Sequence, residues 1–168
     1  MTEVTIKDEV LRKAAEEGMD EFLQVFYDAI MEAIGGQLTA ETMAGLNNDQ
    51  ITLLAYIDLR DEVMDGGFIQ LIHNGYGAFI YRNPFAQMMK LWGIDGVKKL
   101  ITGSHKYYTK YHEEIERDWS QEDFQALYER MPEFDDYDDT FVEHEEEFTE
   151  QIAQYVDDHL DNFATIEK

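Results

Sequence analysis

The chain has 168 residues, 44% of them hydrophobic and 13% aromatic, which suits one domain with a sizeable core and is too apolar for a disordered chain. It has no cysteine, so disulfides and thiolate chemistry are excluded and a reducing compartment fits. Thirty-seven carboxylates against thirteen lysines and arginines give a formal charge of −24, which opposes direct binding to nucleic acid or an anionic membrane and favours a basic protein surface or a cation as partner.

Helical spacing recurs along almost the whole chain, and no strand-like alternation persists. Thr5 is placed to cap a first helix that Gly18 interrupts or ends. The segment DEFLQVFYDAIMEAIGG puts Phe22, Val25, Phe26, Ile30 and Ile34 on one face, and Gly35–Gly36 closes it. TAETMAGL reads as a turn or two. A further helix runs from about Asn48 to Met64, with Ile51, Leu54, Ile57 and Val63 apolar. After the stretch DGGFIQLIHNGYG (65–77), Asn83 and Pro84 suit a cap and first turn of a helix reaching Trp92. Asp95 is placed to cap the next helix, through Val97, Leu100, Ile101, Tyr108, Tyr111 and Ile115, with Gly103 a weak point inside it. Ser120 with Asp123 resembles a capping box opening a short helix that stops before Pro132. The last helix runs from near Asp136 to about Phe163, and Phe134, Tyr137, Phe141, Phe148, Ile152, Tyr155 and Phe163 form one stripe along it. The expected fold is therefore all-α: a single compact domain over residues 1–168, of about six to eight helices, ending in a long acidic helix. The N-terminus has neither a basic nor an apolar leader region, and no apolar run reaches the roughly 20 residues of a spanning helix, so a soluble cytoplasmic protein is expected.

The charge is uneven. Residues 1–110 carry 16 carboxylates and 10 basic residues, whereas residues 111–168 carry 21 carboxylates and only Arg117, Arg130 and Lys168. One third of the chain holds three quarters of the net charge.

Catalytic and metal motifs fail one by one. His112–Glu113 and His144–Glu145 begin like HExxH, but Glu116 and Phe148 stand where the second histidine belongs. A di-iron bundle needs Glu three residues before His, and Gln70, Thr102, Thr109, Phe141 and Val156 occupy those positions. DDYDD (135–139) lacks the glycine and distal glutamate of an EF-hand loop. There is no G-x-S-x-G, Ser104 lacks a lysine three residues on, and the glycine stretch is no phosphate loop. No catalytic residue, metal site or cofactor is assigned, and the chain is read as a non-enzyme. KYYTKYH (106–112) reads as an amphipathic helix with packed tyrosines and solvated lysines rather than as a base-stacking surface.

The glycine stretch reads as a corner between two helices. Gly66 suits the left-handed position that ends the first, Gly67 admits a close neighbour, and Phe68, Leu71 and Ile72 return to the core. Gln70 and Asn74 lie four apart, point the same way, and are placed to satisfy free backbone groups at the joint. His73 is a packing residue rather than a base.

LRDEVMDGGFIQLIHNGYG resembles the signature of the DNA mimic protein 19 family of bacterial proteins. Glu62, Val63, Gly66, Gly67, Phe68, Gln70, Asn74 and Gly77 match it, while Asp65 stands for the usual Asn, Leu71 and Ile72 for common aromatics, and Gly75 for a common Ser. FDDYDDTFVEHEEEFTEQIAQYVDDHLDNF is similar to the family's acidic C-terminal helix, and the resemblance is clearest over residues 48–163. It implies an all-α fold, often dimeric, without known catalysis. It also implies, from one member, an acidic surface that occupies the DNA-binding face of a transcription factor, with Gly66, Gly67, Phe68, Gln70, Asn74 and Gly77 serving the fold.

From Asp138 to Asp161 a helix would carry ten carboxylates over about 36 Å, one per roughly 3.6 Å, near the roughly 3.4 Å per phosphate of one DNA strand. The match is one of density, since the charges spread over several faces. Asp138, Asp139, Glu143, Glu146, Glu147, Glu150, Asp157 and Asp158 are the candidate contacts for a basic DNA-binding protein. An immunity or antitoxin protein neutralising a basic partner is the alternative, alongside an unassigned regulatory role, and a homodimer is possible in either.

Overall fold

The computed structural model describes residues 2–168, and these form ten α-helices and two short strands. The all-α expectation holds. The count exceeds eight because three helices, α3 (Ala40–Met43), α5 (Gly77–Tyr81) and α10 (Leu160–Phe163), are single turns. The chain divides into two compact units, residues 2–54 with 149–168, and residues 55–148.

The first unit opens with β1 (Thr5–Lys7), which pairs in parallel with β2 (Thr165–Glu167), Ile6 opposite Ile166. Thr5 is thus a strand residue and not a cap. The strand precedes α1 (Asp8–Glu17), whose N-cap Lys7 has no capping side chain. Gly18, at φ 147°, separates α1 from α2 (Met19–Ala33), and Gly35 and Gly36, both at positive φ, end α2 as its pattern predicts. Phe22, Phe26 and Phe163 pack edge to face, with centroids 5.3 and 6.2 Å apart. Asn47 and Gln50 cap the start of α4 (Asn48–His73) reciprocally, each side-chain oxygen accepting the other's backbone N–H at 2.8 and 3.0 Å. Gln50 Nε2 also donates to the Phe163 carbonyl at 2.9 Å, which ties the C-terminal turn to α4.

Residues 53–57 of α4 are each no more than 2% exposed, so this stretch is buried all round and not along one face. In the second unit, α4 continues through a break at Gly67. It is followed by α5, α6 (Phe85–Leu91), α7 (Asp95–Ile115), α8 (Gln121–Arg130), a 3-10 turn at Pro132–Phe134 and the first part of α9 (Asp135–Asp158). Ser120 Oγ accepts the Asp123 N–H at 3.1 Å, as its spacing predicts. Neither Asn83 nor Asp95 caps a helix: Pro84 and Ile94 hold those positions without side-chain bonds. α7 runs unbroken through Gly103, where the Tyr137 ring lies 3.0 Å from where a Cβ would stand, and Gly96 meets Phe148 in the same way. Tyr108 is buried and Lys106 and Lys110 are exposed, the amphipathic arrangement expected of 106–112. The long C-terminal helix ends at Asp158, one turn earlier than predicted, and α10 follows a break at His159.

Candidate functional site

The motif glycines sit where α4 breaks. Gly67 has φ 76° and ψ −175°, a conformation open to glycine and strained for any other residue. The left-handed position is therefore Gly67, not Gly66. At Gly66 the constraint is space, because a Cβ there would overlap the Gln70 amide. Gly77 leaves room for the Tyr108 ring, 2.6 Å from where its Cβ would lie.

A broken helix leaves backbone groups without partners, and buried ones must be satisfied. Two side chains from distant parts of the chain do this. Asp138 Oδ1 accepts the Phe68 N–H at 2.8 Å, and the Tyr128 hydroxyl donates to the Gly66 carbonyl at 2.7 Å. The close neighbour admitted by Gly67 is the Asp138 carboxylate, 2.5 Å from a would-be Cβ. Gln70 and Asn74 do point the same way, but toward carboxylates and not backbone. Gln70 Nε2 donates to Glu62 at 2.8 Å and to Asp65 at 2.9 Å, and Asn74 Nδ2 donates to the same Glu62 oxygen at 3.0 Å. These amides staple the second run of α4 to the first.

Burial pushes the Asp138 carboxyl up to about 7, the Phe68 N–H opposes this, and Asp135 and Asp139 raise it further. Burial and the nearby Asp138 and Asp65 push the Tyr128 hydroxyl up to about 12, so it remains a donor. A concave pocket of about 390 Å3 opens beside the joint, lined by Asp65, Gln70, Phe124, Gln125, Tyr128 and Asp138 among others. His73 and Asn74 do not line it. His73 Nδ1 meets the Ile115 carbonyl at 2.9 Å and its ring rests on Phe124, a packing role. Among the described residues no three His, Asp or Glu side chains converge as metal ligands, and no helix is long and apolar enough to cross a membrane.

The other candidate surface lies along α9. At 100° per residue, Asp139, Glu143, Glu146, Glu147, Glu150, Asp157 and Asp158 fall within a sector of about 120°, opposite the buried Phe141, Phe148 and Ile152. All seven are exposed. Among the described residues none pairs with a lysine or arginine: Glu147 meets His144 at 3.4 Å, and Asp158 accepts from Gln154 at 3.1 Å. Asp138, the eighth candidate, projects to the side of the core stripe, is half-buried and belongs to the joint. The acidic positions are therefore patterned as well as dense.

The profile of the DMP19-like protein family matches residues 44–159, which take in the joint and all of α9. The chain is also 34% identical over 128 residues to the DNA mimic protein DMP19 of Neisseria meningitidis serogroup B, an alignment spanning 75% of this chain and 77% of that protein. The chain belongs to the DMP19-like family. The glycine motif that resembles the family signature lies at the break in α4, where Asp138 and Tyr128 satisfy the freed backbone groups. Sequence reasoning missed Asp138 and Tyr128 as the partners of that break. They lie 70 and 62 residues from the backbone groups they satisfy, and no local spacing marks them.

Proposed function

We propose that this DMP19-like protein is a DNA mimic, acting by binding and not by catalysis, whose α9 carboxylates occupy the DNA-binding surface of a transcription factor or another basic DNA-binding protein. The observation that carries this reading is the exposed sector of seven carboxylates on α9, none of them neutralised by lysine or arginine among the described residues. α9 has no lysine or arginine at all, so its like charges repel without relief from oppositely charged neighbours along the helix. The relative named a DNA mimic protein supports the same reading. Binding of this kind is driven by charge and counterion release, so it weakens steeply with salt. A homodimer would present the sector twice, and a cytoplasmic location is where such partners are met.

The test is a pull-down from the native cell extract at low salt, followed by elution with duplex DNA. Retention of a DNA-binding protein and its release by duplex DNA is the expected result. A retained basic protein that DNA cannot displace would replace mimicry by the immunity-type reading, and retention of no basic protein would overturn both.

A further inference from the structure

Within the unit of residues 2–54 and 149–168, a groove of about 300 Å3 lies between the α1–α2 corner and the C-terminal part of α9. Each wall is a helical stripe. Glu150, Ala153, Gln154 and Asp157 are spaced i, i+3, i+4, i+7 on α9, and Ala15, Gly18, Met19 and Phe22 repeat that spacing across the corner. Alanines at 15 and 153 leave space that larger side chains would fill, while the Glu21 carboxylate lies against Gly18, 2.7 Å from where a Cβ would stand. The lining between the two ends is mainly apolar, from Ala15, Met19, Phe22 and Ala153.

The ends are anionic. Glu150 and Asp157 are exposed, neither makes a hydrogen bond or ion pair among the described residues, and no lysine or arginine lines the groove. Along the helix they stand about 10.5 Å apart, so each serves one end. An apolar slot with unpaired carboxylates at its ends fits a side chain that has an aliphatic stem and a cationic head. Arginine fits better than lysine. Its guanidinium is flat and weakly hydrated, lies on apolar and aromatic surface, and still meets a carboxylate with two parallel hydrogen bonds. At about 300 Å3 the groove is at the small end of ligand pockets and has room for an arginine side chain.

We propose that this groove is the anchor site for an arginine side chain of the basic partner. The proposal deepens the mimic reading by naming the partner chemistry that one part of α9 selects, and it rests on that reading for the source of the arginine.

Two peptides of equal length and charge, one alternating arginine and alanine and the other lysine and alanine, serve as probes in NMR titrations of the full chain. The arginine peptide is expected to bind roughly threefold to tenfold more tightly. It is also expected to shift the backbone amides of Ala15, Gly18, Phe22 and Ala153. Ala153→Leu fills the groove without changing charge and is expected to abolish both the preference and those shifts, while leaving the weaker binding of the lysine peptide intact. Asp157→Asn, at an exposed position, is expected to halve the preference or more, and covers the case in which Ala153→Leu perturbs folding. Equal affinities for the two peptides, or shifts confined to residues 139–147, would overturn the proposal. The peptide experiment is independent of the pull-down, so the groove can fail while mimicry stands, and the reverse.

Discussion

Asp138→Asn isolates the one acidic residue of α9 that serves the joint instead of the surface. In the folded chain its carboxyl sits at about 7, against 3.8 for the free group. Between those values the folded state holds a proton that the unfolded state has lost, so this group's contribution to stability is present at low pH and is lost as pH rises through about 7. With those two values the loss between pH 5 and pH 8 is roughly 2–3 kcal/mol. Asparagine keeps an oxygen for the Phe68 N–H and cannot titrate. The other carboxylates make the whole protein's stability depend on pH, but they are common to both chains, so the difference between wild type and variant reports Asp138 alone. Urea unfolding of both at pH 5, 6, 7 and 8 and constant ionic strength is the assay. The variant is expected to gain on the wild type by about 2–3 kcal/mol across that range. Parallel curves, with a difference that moves by less than about 0.5 kcal/mol, would refute the assignment of a buried, proton-holding carboxyl at the joint.

Gly67→Ala forces a side chain into a positive φ and against the Asp138 carboxylate, and is expected to destabilise by about 2–4 kcal/mol in the same unfolding assay. Tyr128→Phe removes the donor to the Gly66 carbonyl and is expected to cost about 1–2 kcal/mol, with faster hydrogen exchange at the amides after Gly67. Phe141→Ala empties a fully buried position of α9 and is expected to cost about 3–5 kcal/mol by calorimetry. Glu146→Gln with Glu147→Gln relieves four like-charge pairs, with Glu143 and Glu150 at spacings of three and four, and is expected to add about 1 kcal/mol at low salt, fading as salt is raised. The same double change is expected to weaken retention of the basic partner, and unchanged retention would place the contact elsewhere.

What was legible in the sequence was whatever a local pattern records. Gly18 and Gly35–Gly36 end helices because the positions after a helix need conformations that glycine alone adopts freely, and Ser120 caps because its hydroxyl is three residues from the N–H it accepts. The aromatic stripe of α9 was legible because its period is that of the helix. What was not legible was long-range. The pairing of Thr5–Lys7 with Thr165–Glu167 joins three-residue strands from opposite ends of the chain, too short to alternate. The break in α4 was visible as paired glycines, but which glycine takes the left-handed position depends on where the Gln70 amide and the Asp138 carboxylate lie. Asp138 itself looked like its acidic neighbours. Its distinction is angular, since with Glu145 it lies toward the core side of a helix most of whose carboxylates point away.

That angular difference bears on how an acidic face is held in place. Like charges on one helix repel, and nothing in their own chemistry decides which way the helix should be turned about its axis. Contacts with α7 and with the joint supply that decision. Tyr137 against Gly103, Phe148 against Gly96 and Asp138 on the Phe68 N–H are three contacts on the inner side of α9, and together they leave no freedom of rotation that keeps all three. With the inner side fixed, Asp139, Glu143, Glu146 and Glu147 must face outward. A mimic needs its charges at set positions and not merely in number, because the surface it competes for was shaped by a regular row of phosphates. The glycine motif and the acidic helix are then parts of one arrangement: Gly67 opens α4 so that a carboxylate can enter, and the carboxylate that enters holds its neighbours outward.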